Sequence, residues 1–310
     1  MSFLFQIAGS GYAANYAQIA AKLPQVFQIT HLVSRGSGRS QSLANKLNIN
    51  FSEQFQPKIP AVIAVNMESQ IDLLNSITLD VLIEPELSNE AAELVLLREN
   101  ILVANHWGSL PAVVEFIRQY KSILHKYEVR LVDVECSERA IYPLGYILSR
   151  LWPEYSKKIR LRCIYNSNQN ATQLTSLRTS FYEGYLEEMP LSLKIYRRTN
   201  DKDNGSDSPQ IVNIRITTDG GIIHLTSPFG PVISNEYQGC LNPSEHHISI
   251  SHGSLTINEL SAIRLRTNYM ILDAFKDACS EGKNSSCYIF DKLSLRTGHK
   301  VSQLVSYYNV

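Results

Sequence analysis

Phe3-Leu4-Phe5-Gln6-Ile7-Ala8-Gly9-Ser10-Gly11-Tyr12-Ala13-Ala14 opens the chain with an apolar run that ends in Gly-x-Gly-x-x-Ala. A small-residue stretch of helical character, Asn15 to Leu23, follows at once. Strand, tight turn and helix in that order begin a unit that binds a dinucleotide. Gly9 permits the turn, Gly11 lets a pyrophosphate approach the backbone, and Ala14 lets the helix sit close to the sheet. The helix N-terminus offers free N–H groups and the positive end of its dipole to phosphate. Gly9, Ser10, Gly11, Tyr12 and Ala13 are therefore the expected phosphate-binding residues.

The next strand, Phe27 to Val33, runs into Ser34-Arg35-Gly36-Ser37-Gly38-Arg39-Ser40. A chain that binds NAD places Asp or Glu at the end of this strand, to accept from the ribose 2′-hydroxyl. No acid stands between Phe27 and Leu47. Ser34, Arg35, Ser37, Arg39 and Ser40 instead offer cations and hydroxyls, which suit a 2′-phosphate. The expected cofactor is NADPH.

At 310 residues the chain is long enough for two domains. Its 29 basic and 29 acidic residues cancel, which excludes a broad electrostatic footprint for nucleic acid or an anionic membrane. The opening apolar run is too short for a secretory signal and lacks its basic leader. No stretch approaches the roughly 18 apolar residues of a membrane span. The five cysteines are scattered and form no CxxC pair, so they read as reduced thiols of a cytoplasmic protein. His246 and His247, adjacent in a strand, point to opposite faces and cannot share a metal ion in the usual way.

Short apolar runs alternate with helical stretches up to about residue 122. Strands are expected at Ile59 to Val65, Asp80 to Glu84 and Ile101 to Ala104. Helices are expected at Gln41 to Leu47, Met67 to Ile77, Asn89 to Glu99 and Leu110 to Lys121. This is the pattern of a doubly wound parallel sheet, a Rossmann domain over residues 1–122. Residues 123–310 read differently. A strand from Glu128 to Glu135 precedes a long helix from about Arg139 to Tyr155. Strands follow at Lys158 to Tyr165, Thr175 to Tyr185, Leu191 to Arg197, Gln210 to Thr217, Gly221 to Leu225 and Ile248 to Ile257. A final helix, Ile257 to Ser280, and a short tail complete an α+β domain with an open antiparallel sheet for substrate binding. The polar run Asn200 to Pro209 reads as a hairpin tip.

This layout resembles the Gfo/Idh/MocA oxidoreductases over nearly the whole chain. That family ends its fifth strand in Glu-Lys-Pro with a catalytic Lys; here the residues are Glu84-Pro85-Glu86. Its sixth strand ends in Gly-His-Asn before a Pro-led helix; here Ala104-Asn105-His106 precedes Pro111. In Tyr142-Pro143-Leu144-Gly145-Tyr146-Ile147, Pro143 and Ile147 take the places of the Asp and His that act on a sugar hydroxyl. Oxidation of a sugar alcohol needs such a base.

Several segments are similar to one branch, the thiazolinyl imine reductases of siderophore biosynthesis. They are Gly36-Ser37-Gly38-Arg39-Ser40 with Leu43-Ala44, Ile216-Thr217-Thr218-Asp219-Gly220-Gly221, Phe229-Gly230-Pro231-Val232, and Ser137 with Tyr142. The resemblance implies NADPH-dependent reduction of a thiazoline to a thiazolidine on an intermediate tethered to a peptide-synthetase carrier domain, by a homodimer. The branch also has a His after the Glu of its fifth strand and a Tyr after its sixth. Pro85 stands at the first place, and Trp107 or Gly108 at the second. Two further readings stay open: a dinucleotide-binding scaffold or sensor without catalysis, and a dehydrogenase of a sugar-like substrate.

Reduction of C=N needs a proton for nitrogen, and the candidates are His106 and Tyr142. His106 lies just past a strand's carboxyl end, where open α/β sheets bind ligands. Tyr142 begins the helix that faces the nicotinamide in the family. Glu84 and Asn105 are candidates to hydrogen-bond the nicotinamide ribose or carboxamide, and Asn66 is one to line the same cleft edge.

Overall fold

The computed structural model describes residues 2–34, 38–123, 126–154, 158–166, 177–198, 212–237, 246–252, 256–282 and 286–307. They form two compact units, 1–106 with 261–291 and 107–260 with 292–310. The first contains β1 (Phe3–Ala8), α1 (Ala13–Lys22), β2 (Phe27–Val33), α2 (Gly38–Leu47), β3 (Asn50–Ser52) and β4 (Ala61–Ile63). It continues with α3 (Met67–Ser76), β5 (Val81–Ile83), α4 (Asn89–Leu97) and β6 (Ile101–Val103).

All six strands are parallel, in the order β3-β2-β1-β4-β5-β6. The order reverses between β1 and β4, which opens a crevice at their carboxyl ends. The apolar runs become strands because both faces are covered: Phe5, Ile7, Phe27, Leu32 and Val62 are all fully buried. α1 lays Ala13, Tyr16, Ala17 and Ala20 on the sheet, an i, i+3, i+4, i+7 stripe. Ser88 caps α4 by accepting from the Ala91 N–H at 3.1 Å. The buried Gln6 amide donates to the carbonyls of Gln56 and Ile59 at 3.0 and 2.7 Å and accepts from the Gln56 N–H at 2.8 Å. It thus fixes the loop before β4. The expected elements are present: β4 to β6 are shorter than anticipated, α1 and α2 begin earlier, at Ala13 and Gly38, and the three-residue β3 carries too weak a pattern to be anticipated.

The second unit holds α5 (Pro111–Ile123), β7 (Val129–Ser137), a 3₁₀ turn at Glu138–Ala140, α6 (Ile141–Leu151), β8 (Ile159–Asn166), β9 (Leu177–Leu186) and β10 (Met189–Arg198). β11 (Val212–Thr218), β12 (Gly221–Leu225), β13 (Val232–Tyr237) and β14 (His246–His252) follow. α7 (Ile257–Glu281) then runs into the first unit from residue 261, and α8 (Lys292–Tyr307) belongs to the second.

Several expectations change here. The sheet, β14-β13-β12-β11-β7-β10-β9-β8, is mixed rather than wholly antiparallel, because β7 pairs parallel with β10. Such partners are joined by a long connection and leave no hairpin signal. The long helix stops at Leu151, just before Trp152-Pro153, since proline disfavours helical backbone in the residue it follows. β14 ends at His252 rather than Ile257, and β13 joins the sheet where no strand was expected. The tail is a helix, α8. Gly145 on α6 meets Gly298 on α8 so closely that a Cβ on Gly145 would lie 2.4 Å from the Gly298 nitrogen. Ser149 and Ser294 hydrogen-bond beside it at 2.9 Å. The run 200–209 lies outside the described residues.

The division also differs from a cut at residue 122. α5 packs on α6 and on β12 to β14, within the second unit. The stretch 261–291 completes the first: Ile271, Leu272 and Phe275 join the core around Phe5 and Phe27. The Phe290 N–H donates to the Val103 carbonyl at 2.9 Å, and the Asn105 N–H to the Tyr288 carbonyl at 2.8 Å, along the outer edge of β6. Among the described residues no helix is long and apolar enough to cross a membrane.

Candidate functional site

The turn after β1 has the shape its glycines allow. Gly9 has φ +104°, and a Cβ there would lie 2.1 Å from the Ala64 carbonyl oxygen, so β1 and β4 close up only around glycine. Gly11 is the opposite case. A Cβ there would meet nothing within 4 Å, which leaves open space over the loop. α1 begins at Ala13 with Tyr12 as its N-cap, no side chain capping it and no acid in its first turn. Its first amides and dipole are thus free of internal anions, which fits a bound pyrophosphate.

At the end of β2 the Ser34 N–H donates to the Ser52 carbonyl at 3.0 Å. Arg39 is exposed and Ser40 buried in the first turn of α2, which also lacks an acid. Arg39 is therefore open to a ligand, whereas Ser40 is turned into the protein. Arg35 and Ser37 lie outside the described residues. Asn66 is the exposed N-cap of α3, and its side chain does not cap its own helix. Asn105 is fully buried and its amide donates to the Cys287 carbonyl at 2.8 Å, so it anchors the 286–290 segment to β6.

Glu84 and His106 come together. Glu84 follows β5, with its N–H held by the Ile63 carbonyl at 3.0 Å. His106 Nε2 lies 2.8 Å from Glu84 Oε2, with side chains 18% and 14% exposed respectively. Tyr16 and Asn268, which the sequence does not single out, complete the cluster together with Tyr12. The buried Tyr16 hydroxyl donates to Glu84 Oε1 at 2.5 Å. The Tyr12 hydroxyl donates to Asn268 Oδ1 at 3.0 Å and lies 3.4 Å from His106 Nδ1, with the two rings edge to face at 5.3 Å. Burial, with the Glu84 charge second, pushes both phenols well above their ordinary range, so both keep their O–H at neutral pH. Tyr16 has a signal: it is the one polar-tipped side chain in the buried stripe of α1. Asn268 has none, because α7 is remote in sequence from everything it touches here.

Tyr142 lies in the second unit, buried against Gly298. Its hydroxyl has no hydrogen-bond partner among the described residues, and burial pushes the phenol up. Trp107 and Trp152 are buried core residues. The first unit thus brings together a glycine turn with open space over Gly11 and, at the same end of its sheet, a half-buried carboxylate–imidazole pair.

No family model and no curated protein sequence matches the chain. Solved structures do, over nearly its whole length. UDP-N-acetylglucosamine 3-dehydrogenase GnnA from Acidithiobacillus ferrooxidans aligns with TM-score 0.64 at 12% identity, over 98% of this chain and 96% of that one. Biliverdin reductase from Synechocystis sp. PCC 6803, in complex with biliverdin and NADP+, gives 0.65 at 14% over 98% of each. A super-repressor mutant of Gal80p from Saccharomyces cerevisiae gives 0.62 at 13%, over 100% of this chain and 96% of that one. The chain therefore shares its fold with these proteins: a six-stranded parallel Rossmann unit together with a mixed-sheet α+β unit.

Proposed function

We propose that the chain is an NADPH-dependent oxidoreductase that reduces a C=N bond, the thiazoline ring of a carrier-bound siderophore intermediate, to the thiazolidine. The observation that carries this reading is the Glu84–His106 pair at the carboxyl edge of the parallel sheet, in the unit that also bears the Gly9–Gly11 loop. Reduced nicotinamide, when bound, supplies the hydride. Gly9 to Ala13 hold the pyrophosphate, and Ser34, Arg35, Ser37, Arg39 and Ser40 take the 2′-phosphate. His106, oriented by Glu84, gives a proton to the nitrogen that accepts the electron pair. The Lys of Glu-Lys-Pro and the Asp and His of the long helix have no counterparts at Pro85, Pro143 and Ile147. Those replacements disfavour oxidation of a sugar hydroxyl, which begins by removing a proton. A reductase with NADP+ among its fold neighbours is compatible with this direction of chemistry.

The test is NADPH oxidation with a thiazolinyl thioester on a carrier domain, for the wild type and His106→Asn. Loss of a general acid lowers kcat by about 10²–10⁴-fold. A rate unchanged by the substitution removes His106 from the chemistry. The second reading is a dinucleotide-binding scaffold without catalysis, favoured by the fold likeness to the Gal80p repressor. NADPH binding without turnover on any imine selects it.

A further inference from the structure

Within the first unit, α7 runs back along β1. Its buried stripe, Asn268, Ile271, Leu272 and Phe275, keeps helical spacing. At one end Phe275 meets Phe3, the first residue of β1, edge to face at 5.7 Å. At the other, Asn268 Oδ1 bonds the Tyr12 hydroxyl at 3.0 Å, past the carboxyl end of the same strand. The helix is therefore antiparallel to β1, and the residues before Asn268 lead outward from the carboxyl edge of the sheet. Arg264 stands one turn earlier on the same face, about 6 Å farther along the axis. Asn268 is buried, and Arg264 is exposed. The charge of Arg264 is felt at the glycine turn: burial and then Glu84 raise the Tyr12 phenol, and Arg264 acts on it in the opposite sense.

The carboxyl edge is where open α/β sheets take their ligands. Tyr12 is the N-cap of α1 and directly follows Gly11, over which space is open. The turn itself, Gly9 to Ala14, carries no charged side chain. It offers amides and a dipole end, so a full positive charge for a bound anion has to come from another element. An arginine suits that task, because its planar fork meets phosphate oxygens with two parallel N–H···O bonds. We propose that Arg264 is a further cofactor-binding residue, which pairs with the pyrophosphate over the Gly9–Gly11 turn. This rests on the dinucleotide reading of that turn. The returning segment thereby does more than complete the core, since it brings the cation that the loop lacks.

The experiment is a fluorescence titration of the full chain with NADPH and with NADH, for the wild type, Arg264→Gln, Arg264→Lys and Arg266→Gln. Arg266 is exposed on the same helix but off that face, so its variant controls for the loss of a surface charge. Arg264→Gln raises the dissociation constant about 10–100-fold, the worth of hydrogen bonds to a charged group. The factor is the same for both nucleotides, because both carry the pyrophosphate. Arg264→Lys, which keeps the charge without the fork, recovers part of the loss. Arg266→Gln binds as the wild type does, and all four chains melt together because the changes are at the surface. An Arg264→Gln chain that binds NADPH like the wild type overturns the proposal. So does a loss confined to NADPH, which belongs to the 2′-phosphate, or an equal loss in Arg266→Gln. A wild type that binds neither nucleotide removes the dinucleotide reading itself, and the proposal with it.

Discussion

Replacing Gly9 and Gly11 by alanine, one at a time, separates what the loop does for the fold from what it does for a ligand. At Gly9 a side chain meets φ +104° and the Ala64 carbonyl oxygen 2.1 Å from its Cβ. The left-handed backbone costs about 1–2 kcal/mol. Forcing β1 from β4 adds the cost of overpacking, about 1–3 kcal/mol. The sum, about 2–5 kcal/mol, lowers the melting midpoint by roughly 4–20 °C at roughly 2–4 °C per kcal/mol. At Gly11 the methyl group meets nothing, so stability changes by no more than about 0.5 kcal/mol. In the proposed reading the same methyl group stands where a pyrophosphate approaches. Loss of one charge-assisted hydrogen bond there weakens NADPH binding about 10–100-fold. Thermal melts followed by circular dichroism, and a fluorescence titration with NADPH, read the two effects independently. A Gly11→Ala chain that binds NADPH like the wild type refutes the phosphate cradle. A Gly9→Ala chain that melts like the wild type refutes the close approach of β1 to β4.

The 2′-phosphate reading predicts that an Arg35→Ala, Arg39→Ala double variant loses its preference for NADPH; equal NADH and NADPH affinity in the wild type would sink it. Gln6→Leu strips partners from two carbonyls and an N–H in the loop before β4, and should lower stability in urea by about 1–3 kcal/mol. An unchanged urea midpoint argues that the loop is held otherwise. Burial, and next Arg215, hold the His224 ring below its ordinary value while it bonds Asn213 Oδ1 at 2.7 Å. The unfolded chain then binds more protons than the folded one once pH falls below about 6.5. This contribution to stability is complete above that pH and declines as pH drops through the lower folded value. His224→Gln should flatten that part of the urea-midpoint profile, and an unaltered slope would count against it.

Most of the first unit is legible in the sequence because its strands are buried on both faces and its first turn needs glycine at Gly9. The apolar runs before Gly9, Ser34, Asn66, Glu84 and Asn105 all form parallel strands in the expected order along the chain. What the sequence hides depends on pairs distant along it. β10 lies parallel to β7, which no turn announces. α8 is clearly periodic, yet it reads as a short tail because its seat, Gly298 against Gly145 on α6, joins residues far apart along the chain. In the site, Glu84 and His106 are readable from their places after β5 and β6, but their contact is not. The position of Asn105 invites a role in holding the cofactor, yet a buried amide beside a loop carbonyl finds its partner within the protein. Asn268 reaches Tyr12 from a helix that periodicity assigns only to the carboxyl-terminal region.

The return of residues 261–291 makes the first unit discontinuous, and this bears on how the polypeptide emerges from a ribosome. Residues 1–106 leave the exit tunnel long before Ile271, Leu272 and Phe275 exist to cover the face around Phe5 and Phe27. Until Tyr288 and Phe290 arrive, the amides and carbonyls along β6 are an open strand edge, which invites pairing with other chains. A truncation that ends after β6 is therefore a poor fragment to express alone. A shortened chain that splices 261–291 behind residue 106 through a flexible joint is the one to try for an autonomous cofactor module.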